Sequence, residues 1–250
     1  MENTRRQDKE KTFLVVLPVY NEETDLSKNF PVVHRFLDEH FDQLHWEVII
    51  AEQASTDHTL EIAQKLSQNY PRTSCIHLDE KGRGGALREA WTGSDADVVS
   101  YMDIDLSSRL EFFPKLMYVL QGGADIAVGS RLSKGSKVHD RTLVRKFSSW
   151  AFKFFLKTLF RIRFDDAQCG FKAIRRDVFL KIAPLIKSNG WVFDTELLVI
   201  AQKARFSIAV VPIEWFDDQK SSVRIIRYAL EGFTAGLRLF ITRPWKSITK

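Results

Sequence analysis

The chain has 250 residues, 44% of them hydrophobic and 28% charged, with 12 Gly and 7 Pro. These proportions exclude a disordered or collagen-like chain and provide for one sizeable core. The formal net charge of +5 suits nucleic acid, anionic lipid or phosphorylated substrates without choosing among them.

Residues 1–12 read as a charged tail. The apolar stretch Phe13–Tyr20 contains Pro18 and runs straight into Asn21-Glu22-Glu23. No small-residue cleavage site follows, so no signal peptide is expected. Apolar runs and helical periodicity then alternate. The strand Phe13–Leu17 precedes a helix at Leu26–Glu39, Glu47–Ala51 precedes Thr59–Gln68, and Cys75–Leu78 precedes Gly84–Trp91. Further along, the strand Val98–Met102 precedes a helix at Leu110–Leu120, and Ile126–Gly129 is the fifth strand. The remainder is read as helices Lys146–Phe160, Val178–Ile186 and Thr195–Ala204, the strand Ile208–Ile213 and the helix Val223–Ile241. This alternation implies an α/β fold with a mostly parallel sheet flanked by helices. Ligands of such sheets bind beyond the carboxyl ends of the strands. No run of about 18 apolar residues is free of charge, so no helix is expected to span a bilayer. Cys75 and Cys169 show no metal-type spacing and read as reduced thiols of a cytoplasmic protein.

Polar motifs stand where each strand ends. Pro18-Val19-Tyr20-Asn21-Glu22 follows the first, and Glu52-Gln53-Ala54-Ser55-Thr56-Asp57 the second, with Ser55 or Thr56 able to cap the next helix. After the third comes Lys81-Gly82-Arg83-Gly84-Gly85-Ala86, where glycines permit close backbone approach and a helix N-terminus favours an anion. Asp103-Ile104-Asp105 follows the fourth. Its carboxylates lie one residue apart on one side of the chain and repel unless a cation separates them. Mg²⁺ or Mn²⁺ prefers such oxygen ligands and bridges to phosphates. Taken singly, each motif is equally a capped turn or a solvated acidic loop.

The four pieces in this order resemble the family-2 inverting glycosyltransferases, whose GT-A domain is a Rossmann-like nucleotide-sugar fold. The resemblance covers about residues 13–220 and leaves 221–250 as a C-terminal amphipathic segment. It implies that Pro18, Tyr20, Glu22, Glu52, Lys81, Gly82 and Asp103 hold the nucleotide-sugar, that Asp103 and Asp105 bind the metal, and that Asp105 is catalytic. Glu52-Gln53 replaces the family's acidic pair, and Ala54 its usual glycine, in the region that contacts base and ribose.

Gly129-Ser130-Arg131, Arg141 and Arg145, Asp166-Ala167-Gln168-Cys169-Gly170-Phe171-Lys172 and Trp191-Val192-Phe193-Asp194-Thr195-Glu196 resemble the polyprenyl-phosphate branch of that family, most of all the dolichyl-phosphate glucosyltransferases. That likeness implies UDP-glucose as donor and a polyprenyl or dolichyl phosphate as acceptor, with Gln168 and Asp194 among the catalytic residues. Such an acceptor is chemically apt. A phosphate monoester with a second pKa of about 6 is a ready nucleophile at neutral pH and needs no general base. It needs positioning and charge neutralisation, for which the planar forks of Arg131 and Arg145 are suited. Asp194 and Glu196 would hold sugar hydroxyls, or serve as a base were the acceptor an alcohol.

In Lys146–Phe160, Lys146, Ser149, Lys153 and Lys157 form one narrow stripe on an otherwise apolar and aromatic helix. Arg224, Arg227, Glu231, Thr234 and Arg238 do the same in Val223–Ile241, and Arg243-Pro244-Trp245-Lys246 follows. This is the pattern of interfacial helices with snorkelling cations, expected to seat the protein peripherally on an anionic membrane surface. A core helix or dimer contact has the same periodicity. The competing functions are a same-fold transferase for a soluble acceptor and a non-catalytic membrane-binding relative. Nucleic-acid binding is set aside, because the basic residues are scattered and match no nucleic-acid motif.

Overall fold

The strand β1 (Thr12–Val19) sits inside the sheet, between two parallel neighbours. Leu14 and Val16 point to one hydrophobic core, while Phe13, Val15, Leu17 and Val19 point to a second on the opposite face. A strand buried on both faces must be apolar at nearly every position, which is why it reads as a continuous run. The computed structural model describes the backbone of residues 12–139, 143–216 and 225–248, and their side chains apart from 143–148 and 225–229. The charged tail up to Lys11, Arg141, Arg224 and the side chains of Arg145, Lys146 and Arg227 therefore lie outside the described residues.

Along the chain β1 is followed by α1 (Glu23–Phe41), β2 (His45–Gln53), α2 (Thr59–Asn69), β3 (Thr73–Leu78), α3 (Arg83–Gly93), β4 (Val98–Met102), α4 (Phe113–Gln121) and β5 (Ile126–Ser130). Then come β6 (Lys137–His139), α5 (Leu143–Phe160), β7 (Phe171–Arg175), α6 (Arg176–Ile182), α7 (Phe193–Lys203), β8 (Ile208–Pro212), β9 (Glu214–Phe216) and α8 (Ile225–Thr242). Seven strands form one sheet in the order β3-β2-β1-β4-β7-β5-β8. All its pairings are parallel except those of β7, which runs antiparallel between β4 and β5. The short strands β6 and β9 pair separately.

The expected α/β sheet is present, with three strands that the apolar pattern did not announce. β7 carries Lys172 as its second residue, opposite Tyr101, and so reads as a continuation of the polar loop. β6 and β9 have three residues each. Two predicted helices are divided: Leu110–Phe112 and Ala183–Leu185 are single 3₁₀ turns adjoining α4 and α6. The parallel pairings bring the ends of β1, β2 and β4 together. The turns after them hold Asn21, Ala54 and Leu106 at φ of 54°, 54° and 53°. Non-glycine residues in this left-handed region cluster where a site over-determines the backbone.

The C-terminal helix is part of the same body. Leu239 is buried in the core that includes Phe160 and Leu198. α8 lies on α5 with Phe155 stacked on Phe233 at 4.2 Å. Gly232 and Gly236 make this approach possible, since a Cβ at either would come within 2.7 Å of the Phe152 or Phe155 ring.

Candidate active site

Asn21 joins the first two motifs. Its Oδ1 accepts the Thr56 backbone N–H at 2.8 Å, its own backbone N–H donates to Ser55 Oγ at 3.0 Å, and Glu22 N–H donates to Thr59 Oγ1 at 2.8 Å. This corrects the expectation that Ser55 or Thr56 caps α2. Both hydroxyls face Asn21, and Asp57 instead accepts from the backbone and hydroxyl of Thr59. Pro18 lies in β1 beside Ala51. The Lys81 ammonium stands 3.3 Å above the centre of the Tyr20 ring, so two expected donor contacts form one cation–aromatic face.

Glu52 is fully buried at the end of β2. Its Oε1 accepts Ser55 N–H at 2.6 Å and its Oε2 meets His77 Nδ1 at 2.5 Å. Burial raises such a carboxyl, but these hydrogen bonds and the His77 charge bring it below the usual range. Glu52 thus shapes the turn with both oxygens, while Gln53 Oε1 accepts the backbone N–H of Gly82 at 3.2 Å. The altered Glu-Gln pair therefore connects β2 to the glycine loop. That loop is sterically closed: a Cβ at Gly82 would lie 2.6 Å from the Asn189 carbonyl oxygen, and one at Gly84 2.4 Å from Phe193 Cβ.

Asp103 and Asp105 stand at the end of β4. Asp103 remains 41% exposed, with the Arg83 guanidinium 3.8 Å away. Loss of hydration raises its pKa to about 6; Asp105 and Asp194 push the same way, and Arg83 opposes them. Asp105 Oδ1 accepts the Ser107 backbone N–H at 2.9 Å. Gly170 adjoins the pair, and its carbonyl accepts the Asp103 N–H at 3.2 Å. Among the described residues no group of three His, Cys, Asp or Glu side chains is placed to hold a metal.

Asp194 lies beneath these carboxylates. It is fully buried, with Arg83 Nη2 at 2.5 Å, Tyr101 Oη at 2.6 Å and Lys172 Nζ at 3.0 Å. Burial alone would raise its pKa, but the Lys172 and Arg83 charges hold the carboxyl below the usual range. The sequence placed Asp194 against substrate; the structure turns its oxygens to protein partners, where they anchor Arg83. Arg83 also stacks 4.1 Å from the Trp191 ring, and its buried Nε finds no acceptor among the described residues. Glu196 is likewise turned inward, accepting the Lys187 N–H at 2.7 Å and an Arg238 guanidinium N–H. Arg83, Tyr101 and Lys172 are the residues that sequence reasoning passed over. Arg83 and Lys172 lay inside quoted motifs, but nothing local marked their partner.

On the other side of the pair, Arg131 reaches the wall of a cleft bounded by Phe152, Lys153, Leu156 and Gln168. Its fork is already engaged: Nε and Nη2 hold Asp166 at 2.7 and 2.9 Å. Burial raises the Asp166 carboxyl and Arg131 more than reverses this, leaving it at about 2. Arg131 therefore enters the cleft as half of a neutral pair, which alters the expectation of a free phosphate clamp. Gln168 joins the same turn, its N–H donating to Asp166 at 3.2 Å. The backbone of Arg145 lies in the first turn of α5.

The family model for glycosyl transferase family 2 matches residues 14–183. The chain belongs to that family. It is 34% identical to glycosyltransferase AglD of Haloferax volcanii, covering 94% of this chain and 37% of that protein. It is 30% identical to the dolichyl-phosphate beta-glucosyltransferase of Saccharomyces cerevisiae, over 88% of this chain and 71% of that one. Against the dolichol-phosphate mannosyltransferase of Pyrococcus furiosus the identity is 35%, over 66% of this chain and 46% of that one. The chain thus spans well under two thirds of two of these three relatives. The fold is that of the Mycobacterium tuberculosis glucosyl-3-phosphoglycerate synthase solved with Mn²⁺, UDP and phosphoglyceric acid, with a TM-score of 0.69 at 18% identity over 93% of this chain and 79% of that one. The motifs at the ends of β1 to β4 all fall within the family match.

Proposed function

We propose that this protein transfers glucose from UDP-glucose, with inversion, to a polyprenyl or dolichyl phosphate at a membrane surface. The observation that carries the reading is the Asp103–Asp105 pair beside a buried Arg83 with an unsatisfied Nε. Two carboxylates crowded at one strand end repel each other unless a cation lies between them. That fits a hard divalent cation, Mg²⁺ or Mn²⁺, whose remaining oxygen ligands come from phosphates or water. When bound, the cation neutralises charge developing on the leaving diphosphate. The relatives named as dolichyl-phosphate glucosyltransferases support the choice of sugar and acceptor.

The residues of this chain then divide the work. Tyr20 and Lys81 line the donor side, with Glu22 and Glu52 setting its turns. Gly82 lets the backbone approach the phosphates. Arg83, held by Asp194, faces the diphosphate. An oxygen of the acceptor phosphate attacks the anomeric carbon, a new carbon–oxygen bond forms on the opposite face, and UDP departs with the electron pair of the broken bond. No proton is removed, so no base is required. Arg145, with Arg131 and Gln168 at the cleft, positions the acceptor.

The outer faces of α5 and α8 support a membrane location. Trp150 and Phe154 are 60% and 61% exposed, and Leu230 and Ile241 63% and 77%. Phe233, Leu237 and Phe240 continue the apolar face of α8. Two cations of the expected snorkelling stripes turn inward instead, Lys153 to Asp165 at 2.5 Å and Arg238 to Glu196, which leaves these outer faces more apolar. Lys157, Arg243 and Lys246 remain exposed beside them. Among the described residues no helix is long and apolar enough to cross a membrane. The decisive experiment offers purified protein a panel of nucleotide-sugars with Mg²⁺ or Mn²⁺ and a short polyprenyl phosphate. A charged glycolipid formed from UDP-glucose is the expected product; transfer only to water-soluble acceptors would refute the reading.

A further inference from the structure

Arg238 turns inward from α8. Its side chain is 38% exposed on α8, yet it pairs with Glu196, which is 1% exposed at the start of α7. A buried carboxylate needs its charge met, and among the described residues the formal cation bonded to this one comes from the helix with the exposed apolar face. The second oxygen of Glu196 accepts the backbone N–H groups of Lys187 and Ser188 at 2.7 and 3.3 Å. The next residue, Asn189, lies on the glycine loop: its carbonyl accepts the Gly85 N–H at 2.9 Å and its oxygen lies 2.6 Å from where a Gly82 Cβ would stand. Trp191, two residues on, covers Arg83. Arg88 of α3 fixes the other end of this segment, donating to the carbonyls of Ala183 and Ile186 at 2.6 and 3.0 Å. An unbroken series of close contacts therefore runs from α8 through Arg238, Glu196 and residues 187–189 to the backbone proposed to cradle the donor phosphates.

We infer that Arg238 is a positioning residue that couples seating of α8 on an anionic bilayer to the geometry of the donor loop. This rests on the membrane and donor readings above. With α8 free in water, Arg238 is partly solvated and its hold on Glu196 is weakened by the high dielectric; with α8 against lipid, the pair is sheltered and the 187–191 segment is fixed on the glycine loop. Only a differential interaction of this kind lets one ligand bias another's site. The lipid surface is favoured as the occupant of α8 because the exposed apolar face is flanked by exposed Arg243 and Lys246, a pairing suited to acyl chains beneath anionic headgroups.

The test titrates UDP with Mn²⁺ into the full chain by calorimetry, with and without vesicles of mixed phosphatidylglycerol and phosphatidylcholine. Vesicles should tighten UDP binding by about fivefold or more, at the lower end of ordinary coupling. Arg238→Gln should lose this gain, Arg238→Lys should retain part of it, and Glu196→Gln should match Arg238→Gln. Removing one buried partner can unfold a protein, so the double variant Glu196→Gln with Arg238→Met, which leaves no unpaired charge, is measured as well and should also lack the gain. A gain that persists in these variants, or UDP affinity indifferent to bound vesicles in the wild type, overturns the coupling alone. A wild type that does not sediment with vesicles overturns it together with the membrane reading, and one that does not bind UDP overturns it together with the donor reading.

Discussion

Gly170 is where one methyl group tests the proposed site most directly. Its φ is not positive, so alanine meets no backbone penalty there. The obstacle is steric: a Cβ would stand 1.7 Å from Asp103 Oδ2 and 2.3 Å from its Cγ. An unstrained carbon–oxygen contact is about 3.3 Å, so the carboxylate must retreat by roughly 1.6 Å. Asp103 is short and partly exposed and can swing aside, which keeps the loss of stability near the low end of overpacking, about 1 kcal/mol. Function has no such latitude. A misplacement of about 1 Å in a reacting assembly costs on the order of 100-fold. Gly170→Ala should therefore fold, melt within a few degrees of the wild type, bind Mn²⁺ more weakly and turn over about 100-fold more slowly. Gly93→Ala is the control, because nothing lies within 4 Å of the added carbon. Thermal melts, Mn²⁺ titration of activity and steady-state rates on the three proteins decide the matter. A Gly170→Ala enzyme within about threefold of wild-type turnover and unchanged in Mn²⁺ dependence would refute the placement of the metal on Asp103.

The Asp166–Arg131 pair should appear in acid stability. Asp166 is held at about 2, below its unfolded value near 3.9; its contribution is full above about pH 4 and is lost as pH falls toward 2, on the order of 2 kcal/mol. Urea midpoints across that window should fall less steeply for Asp166→Asn, and an equal slope would remove the pair from the explanation. On the membrane face, changing Trp150 and Phe154 to Ser should reduce sedimentation with anionic vesicles while the melting temperature holds, since both side chains are already largely exposed; undiminished sedimentation would place the contact elsewhere.

Much of this arrangement can be read from local pattern, and the part that cannot shares one cause. Apolar runs bounded by turn residues reveal β1 to β5 and β8; inner strands such as β1 and β5, buried along nearly their whole length, have no other composition. The motifs then follow from position alone. β7 is hidden because Lys172, 1% exposed, lies within it. A buried lysine is tolerated only beside its partner, and that partner, Asp194, is 22 residues further on. Arg83 and Asp194 are separated by 111 residues. Asp194, Glu196 and Arg131 read as outward-facing ligands for the same reason, although each is engaged by a protein partner: charge is visible in a sequence, but its compensation is tertiary. Conversely, Ala54 at φ 54° shows why its relatives would favour glycine, a preference the backbone explains and composition does not.

The same compensation yields a prediction about how donor and metal bind. Around the end of β4, Asp103, Asp105 and Asp194 supply three negative charges, and Arg83 and Lys172 two positive ones, which leaves one formal negative charge uncompensated among these five groups. Asp103 is the exposed member of this cluster; burial is the main cause of its raised pKa of about 6, and Asp105 and Asp194 add to it. A diphosphate entering such a site alone meets net repulsion, whereas a dication reverses the sign and attracts it. Two charges about 4 Å apart interact by roughly 4 kcal/mol at an effective dielectric of 20; with half of that lost to desolvation, Mn²⁺ should tighten UDP binding by about 30-fold. Linkage requires UDP to tighten Mn²⁺ binding by the same factor, so calorimetry in both orders is a closed test. Lys172→Met should deepen the deficit and make the dependence on metal steeper. Equal affinity for UDP in Mn²⁺ and in chelator would show that the phosphates do not meet this cluster, and that Asp103 and Asp105 serve something other than the donor.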